Sequence, residues 1–412
     1  MKMLKIIFIS LMCVLAKAST AQAVDVNELV KKEAEYILQC QFMEHNDSAY
    51  GALNNIFGKP TWVVPRENAL ALLGLVYAWG VLKDPLYIER AELAAEYLLK
   101  VQSEDGAWYN QYSYVTPGDP NNPQNTEALA KSPTQTAEVM LALNRLGYRP
   151  LRYEAMKRAA KYLISCQKQG GNGYLLGGGK DADGSYRFWR WASDNAFSYQ
   201  ALKVAQLWAL TKRQVGFSKV CAQAAERIIK GINKWLYIRD SKSADYGVWH
   251  RVIDEKNIPV EPNHHDWINY APQMLDLAAE GVNNPRVGEW IKRNLQQSDG
   301  ACVWDDADFK TRKSPGYSFQ AVLCWRDLQQ QAYYENALDW AQESGLWQIT
   351  ADGNGAAGGW IDWVEENTQK ANWWERFIDT SFYAITAYST GYNFQVIPEE
   401  VEISYKKQER NK

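Results

Sequence analysis

The stretch NHHDWINY, residues 263–270, puts two imidazoles, a carboxylate, an indole and a phenol side by side. An imidazole exchanges protons readily near neutral pH, so His265 is a candidate base or positioned acid. Tyr270 follows about a turn and a half of helix later, within reach of the same place. The competing reading is a pair of loop histidines open to solvent. A second cluster, ANWWERFIDTS at 371–381, gathers Asn372, Trp373, Trp374, Arg376 and Asp379. Further carboxylates stand at Glu67 (beside Arg66), Asp194 and Asp266. Two carboxyl groups about 5–9 Å apart are enough to hydrolyse a glycosidic bond. Asp194, Asp266 and Asp379 each begin a helix-like run, where Asp is a favoured N-cap. Each therefore reads equally as a cap or as a reacting group. For Glu67, an ion pair with Arg66 or Arg376 is as good an account as catalysis.

The aromatic content favours sugar over other ligands. The chain carries 18 Trp and 24 Tyr. Part of that set is core, and part supplies flat faces on which sugar rings stack. Trp108, Trp189 and Trp191 lie in segments that lead into helices and join Arg66, Asp266, Trp373, Trp374, Arg376 and Asp379 as candidate substrate contacts. A net charge of −3 argues against nucleic acid, which requires a concentrated basic face. The four His do not alternate with Cys at zinc-ligand spacing. Asp305, Asp306 and Asp308 read as an exposed acidic loop, so neither metal nor cofactor is expected.

Residues 1–23 have the layout of a secretory leader: Lys2 and Lys5, an apolar run from Ile6 to Leu15, and Ala21-Gln22-Ala23 as a small-x-small site. The run is too short for a permanent membrane span, and no later segment is long and apolar enough. Export to the periplasm or medium without stable membrane insertion is expected. Beyond the leader lie Cys40, Cys166, Cys221, Cys302 and Cys324, an odd set with no CxxC. They read as small buried positions of a repeat rather than as a disulfide framework.

These groups must be positioned by a repeat. AEYLLKVQSEDGAWY (95–109), AKYLISCQKQGGNGY (160–174) and IKRNLQQSDGACVW (291–304) share one ending, with a looser copy at 34–51. Their Gln residues, Gln41, Gln102, Gln167 and Gln296, recur at intervals of roughly 60 residues, with a double interval before the last. Between them run helices apolar nearly all round, at 66–80, 133–147, 193–210, 266–281, 316–329 and 379–391. Those helices have both faces buried. The alternating set, such as 87–102, has one apolar stripe and one charged face. The pattern predicts an all-α single (α/α)6 toroid, six helical hairpins in a double ring, over residues 24–396, with a polar tail at 397–412. In that role the Gln and acidic groups satisfy loose backbone groups at helix ends, and Gly106 and Gly300 adopt the left-handed conformation that ends a helix. All inner helices then point the same way. Their N-termini form one mouth, and the candidate groups gather there.

QSEDGAW resembles the repeated Gln-Trp motif of squalene-hopene cyclases. SPTQTAEVMLAL is similar to an inner helix of the same enzymes, and GYSFQAVL to an inner helix of protein prenyltransferase β-subunits. These likenesses imply the toroid. They do not extend to a cyclase's Asp-x-Asp-Asp, since WDDADF (304–309) has the order reversed, nor to placeable prenyltransferase zinc ligands. ANWWERFIDTS resembles the Asn-Trp-Trp-x-x-x-Ile stretch of α/α-toroid polysaccharide lyases of the hyaluronate and chondroitin type. That resemblance implies Asn372 as neutraliser of a uronate carboxylate, Arg376 as its assistant and Trp373 with Trp374 as the sugar platform. It also implies His265 and Tyr270 as the base and acid. SDNAFSYQAL looks like the Asp-Asp-Asn helix of some toroid glycosidases, with Ser193 replacing one Asp. The expectation is an exported, monomeric enzyme acting on a polysaccharide or oligosaccharide, favoured as a uronate-type lyase. The alternatives are a toroid glycoside hydrolase using paired carboxylates such as Glu67 and Asp194, or a terpenoid cyclase- or prenyltransferase-like toroid.

Overall fold

The computed structural model describes residues 25–54, 62–119, 122, 124–260, 265–266, 286–303, 312–327, 364–365 and 378–388. The leader, the polar tail, most of the helix expected at 266–281, and Tyr270, Asn372, Trp373, Trp374 and Arg376 lie outside the described residues. So do the side chains of His265, Asp266 and Asp379.

Ten helices are described in chain order: α1 (Val26–Gln39), α2 (Pro65–Leu82), α3 (Pro85–Lys100), α4 (Pro133–Arg145), α5 (Pro150–Ser165), α6 (Ala192–Thr211), α7 (Val215–Gly231), α8 (Arg286–Asn294), α9 (Pro315–Asp327) and α10 (Ile378–Tyr388). Their starts follow from local chemistry. Proline opens α2, α3, α4, α5 and α9, at the one helical position where a missing N–H costs nothing. Asp25, Asp84 and Ser132 cap α1, α3 and α4 through their side chains.

Burial sorts the helices into two layers. Along α2 every residue from Glu67 to Leu75 is buried. Along α7 only a stripe is, including Cys221, Ala224, Ala225, Ile228 and Ile229. The inner layer is α9, α10, α2, α4 and α6, each packed on the next in that order. The outer layer packs behind it, with α3 on α2, α5 on α4, α7 on α6, α1 on α2 and α10, and α8 on α9. This is an all-α toroid. The core between the layers holds Trp108, Trp208, Trp290 and Trp325 as its largest fully buried side chains. All five cysteines beyond the leader are free and buried. Cys40 and Cys166 each sit one residue before a repeat Gln, where Val101 and Leu295 fill the same buried position.

The repeat Gln is a fastener between hairpins. Gln41 Nε2 donates to Gly51 O and to Arg90 O in α3, both at 2.9 Å. Gln102 Nε2 donates to Gly106 O and to Ala155 O in α5, and Gln167 Nε2 to Tyr174 O and to Ala224 O in α7. Each carboxamide thus closes its own loop and grips a carbonyl of the next outer helix. One such bond contributes about 0.5–1.5 kcal/mol net. Gly106 differs from the sequence expectation in one respect. Its φ of +92° is left-handed, but α3 has already ended at Lys100. Gly106 instead turns the following loop, donating to Ser103 O. A Cβ there would stand 2.4 Å from the Arg158 backbone of α5, so the turn rests directly on the neighbouring helix.

Candidate functional site

The inner helices are joined at their N-terminal ends by a relay of side chains. The amide of Arg66, second residue of α2, donates to Gln135 Oε1 at 2.9 Å. Gln135 is the third residue of α4. The amide of Thr134, second residue of α4, donates to Asp194 Oδ1 at 3.0 Å, and the Thr134 hydroxyl donates to the same oxygen at 2.7 Å. Asp194 is the third residue of α6. Between α9 and α10 the same positions meet again: a Cβ on Gly316 would lie 3.1 Å from Thr380 Oγ1. A helix start leaves its first amides without intrahelical partners, and here the next helix supplies them.

This relay corrects the reading of Asp194 as a cap of its own helix. Trp191 occupies that place without a side-chain cap, and Asp194 serves α4 instead. Its carboxyl is fully buried, which pushes its pKa up to about 6 against the opposing effect of Thr134 and of the Arg187 charge. Asp266, expected at a helix start, lies in an antiparallel pairing with Trp249, and His265 stands opposite His250 in the same register. Asp379 falls inside the first turn of α10.

Arg66 sits between two carboxylates. Its Nε lies 3.1 Å from Glu138 Oε2 and its Nη1 3.5 Å from Glu67 Oε1. Glu138 is 2% exposed and Glu67 7%. The expected Arg66–Glu67 pair is present, and Glu138 joins it from α4. The sequence reading missed Glu138, although a charge at the sixth place of an otherwise buried helix was a usable signal. Gln320 holds the sixth place of α9 and is likewise buried.

Other candidates are removed from the mouth. Trp108 is 0% exposed, and its indole N–H donates to Leu98 O at 2.8 Å. It is a core side chain and offers no face to a sugar. Asn68 and Asn195, near the starts of α2 and α6, are buried and accept from Leu53 N at 2.7 Å and Leu176 N at 2.8 Å. Ser318 accepts from Cys302 N in the same manner. These side chains tie α2, α6 and α9 to the loops before them.

Trp189 and its neighbour Phe188 are each 50% exposed. Trp191 is half-buried, with the Arg251 guanidinium 5.6 Å from its ring centre. These aromatics lead into the start of α6, close in sequence to Asp194. Asp105 of the QSEDG loop accepts from Lys131 at 3.1 Å and Lys180 at 2.9 Å. Burial alone would raise the Asp105 pKa, but the Ser103 hydroxyl and the two ammonium groups bring it well below the usual carboxylate range. The repeat reproduces this pair: Asp299 accepts from Lys313 at 2.9 Å. Lys131 and Lys313 both open a Lys-Ser-Pro run that leads into an inner helix.

Among the described residues no group of three or more His, Cys, Asp or Glu is placed to hold a metal ion. No described helix is long and apolar enough to cross a membrane.

No family model matches the chain. Solved structures resemble it. A cellobiose 2-epimerase from Bacillus thermoamylovorans superposes with a TM-score of 0.64 at 13% identity, covering 88% of this chain and 98% of that one. A D-mannose isomerase gives 0.62 at 13% identity, over 89% of this chain and 96% of that one. A glycosidase variant in complex with glucose gives 0.59 at 13% identity, over 89% and 97%. At such identities the likeness shows the fold, the α/α toroid, alone.

Proposed function

We propose that the protein is an exported carbohydrate-active enzyme that binds a saccharide at the mouth of its inner ring and hydrolyses a glycosidic bond there. The observation that carries this reading is Asp194, a fully buried carboxyl with a pKa of about 6, on the helix end next to the Arg66–Glu138–Glu67 cluster. Hydrolysis needs one carboxyl that gives a proton to the leaving oxygen and a second that activates water or attacks the sugar carbon. A carboxyl near 6 stays partly protonated in mildly acidic solution and suits the first role. Thr134 fixes one of its oxygens, so the acidic proton belongs to the other. Glu67 supplies the second carboxylate, Arg66 a hydrogen-bond donor, and Trp189 with Trp191 the flat faces on which rings stack. The sugar-processing neighbours support the substrate class, and the leader pattern at 1–23 supports export.

β-Elimination on a uronate polymer is the second reading. The backbone register that sets His265 opposite His250 favours it, with Tyr270 and Asn372 completing the expected set. A panel of polysaccharides scored in two ways separates the readings. Hydrolysis releases reducing ends alone, whereas elimination adds the ultraviolet absorbance of an unsaturated product. No cleavage of any member counts against both.

A further inference from the structure

We infer that the end of the toroid opposite the mouth docks on an anionic lipid surface, through the turns that join α2 to α3, α4 to α5 and α6 to α7.

The three turns are neighbours. The Arg145 guanidinium, at the end of α4, lies 5.6 Å from the ring centre of Tyr77 in α2. The Lys212 ammonium, at the end of α6, lies 3.6 Å from the ring centre of Tyr148. Trp208 of α6 donates its indole N–H to Asn144 Oδ1 of α4 at 2.8 Å. The starts of these helices meet at the mouth, so their ends meet on the far side.

Apolar side chains project around each turn. Trp79 and Leu86 are exposed at the first, Leu151 at the second, and Leu210 and Val215 at the third. Leu151 is 76% exposed and Val215 66%. Leu86 and Leu151 hold the same place, second residue of an outer helix after its opening proline. Exposed apolar side chains scattered singly need no account. A set that recurs in three adjacent hairpins does.

Charge names the occupant. The turns carry Lys83, Arg145, Arg149, Lys212 and Arg213 against one carboxylate, Asp84. Further along the outer helices, Glu89, Glu92 and Glu154 are offset by Arg90, Arg152, Lys157 and Lys219. Glu92 pairs with both Arg149 and Arg152, and Glu154 with Lys157. Cations suit helix C-termini in any protein, but that does not account for the apolar side chains between them. A second copy of the chain would bring like charge against like charge. An anionic bilayer satisfies both features. Its surface attracts each Lys or Arg, and its headgroup layer takes up separate protruding apolar side chains without matching pockets. The Lys83 ammonium lies 5.7 Å from the ring centre of Trp79, and an indole beside a cation is the pairing that suits a membrane boundary. The mouth then faces away from the lipid.

The test is co-sedimentation with vesicles of the chain without residues 1–23, whose apolar run would itself enter lipid. One set of vesicles is phosphatidylcholine alone, and the other contains about one third phosphatidylglycerol. Binding to the anionic set is expected to be at least about tenfold tighter and to fall with added salt. Leu151→Ser with Val215→Ser, and separately Lys212→Gln with Arg213→Gln, are each expected to weaken it by about tenfold or more. Equal binding to both sets, or binding to neither, overturns the inference. So does full binding by the Leu151→Ser, Val215→Ser chain. A dimer that this same double substitution dissolves gives the surface to a second copy and also overturns it. Thermal melts show whether the variants fold. Should the Lys212→Gln, Arg213→Gln chain not fold, the Leu151→Ser, Val215→Ser chain decides.

Discussion

Thr134 and Asp194 meet across the gap between adjacent inner helices, the threonine amide and hydroxyl both donating to Asp194 Oδ1 at 3.0 and 2.7 Å. The contact joins residues 60 positions apart in sequence and gives one carboxyl two duties. One oxygen holds α4, while the buried carboxyl as a whole is biased towards its protonated form. Asp194→Asn keeps an acceptor for Thr134 and loses the acid. It is expected to fold with near-native thermal stability while cleavage falls by about 100-fold or more. Asp194→Ala leaves the Thr134 donors unmet and is expected to cost about 1–3 kcal/mol in urea unfolding.

The same carboxyl fixes a pH dependence. Its pKa is about 6 in the folded chain against 3.8 as the ordinary value. The folded state therefore binds this proton more tightly than the unfolded state does. The resulting stabilisation is complete below pH 3.8 and is lost as pH rises through 6. Its size is about 3 kcal/mol. The unaltered chain and Asp194→Asn are expected to match in stability below pH 3.8, and the unaltered chain to fall behind the variant by an amount of that order as pH rises through 6. A difference that stays flat with pH assigns the raised pKa to another group.

Two tryptophans from the same candidate set are expected to behave oppositely. Trp108→Ala opens the core and removes the bond to Leu98, at a cost of about 3–5 kcal/mol. Trp189→Ala, on an exposed ring, is expected to change stability by less than about 0.5 kcal/mol and to weaken saccharide binding. Thermal melts beside binding titrations separate the two.

The fastener predicts a graded series. Gln167→Ala strips a donor from Tyr174 O and Ala224 O and is expected to cost about 1–3 kcal/mol. Gly106→Ala forces a Cβ onto the Arg158 backbone at a left-handed turn and is expected to cost at least as much, about 1–3 kcal/mol. Chemical denaturation of both variants checks the pair.

The toroid was legible because its signals are local. Proline and Asp or Ser mark helix starts, all-round apolar runs mark the inner layer, and the Gln-Gly endings mark the joints. Even the burial of Cys40 and Cys166 followed from their place in the repeat. The site was less legible because its contacts run between helices. Asp194 looked like the cap of its own helix, since only the packing of α6 on α4 brings Thr134 to it. Glu138 lay inside a helix whose apolar pattern drew attention elsewhere. Trp108 and Trp189 are alike as residue types, and tertiary packing alone buries one and exposes the other. The Lys-Ser-Pro runs at 131–133 and 313–315 were visible as letters, but their meaning depends on Asp105 and Asp299 in loops far upstream of the helices they brace.

The most direct test is cleavage by the unaltered chain and by Asp194→Asn, side by side, on every polysaccharide of the panel. The account predicts reducing ends without an unsaturated product from the first, and a folded protein with cleavage down by about 100-fold from the second. Full activity in Asp194→Asn, or a product that absorbs in the ultraviolet as an unsaturated uronate does, would contradict it.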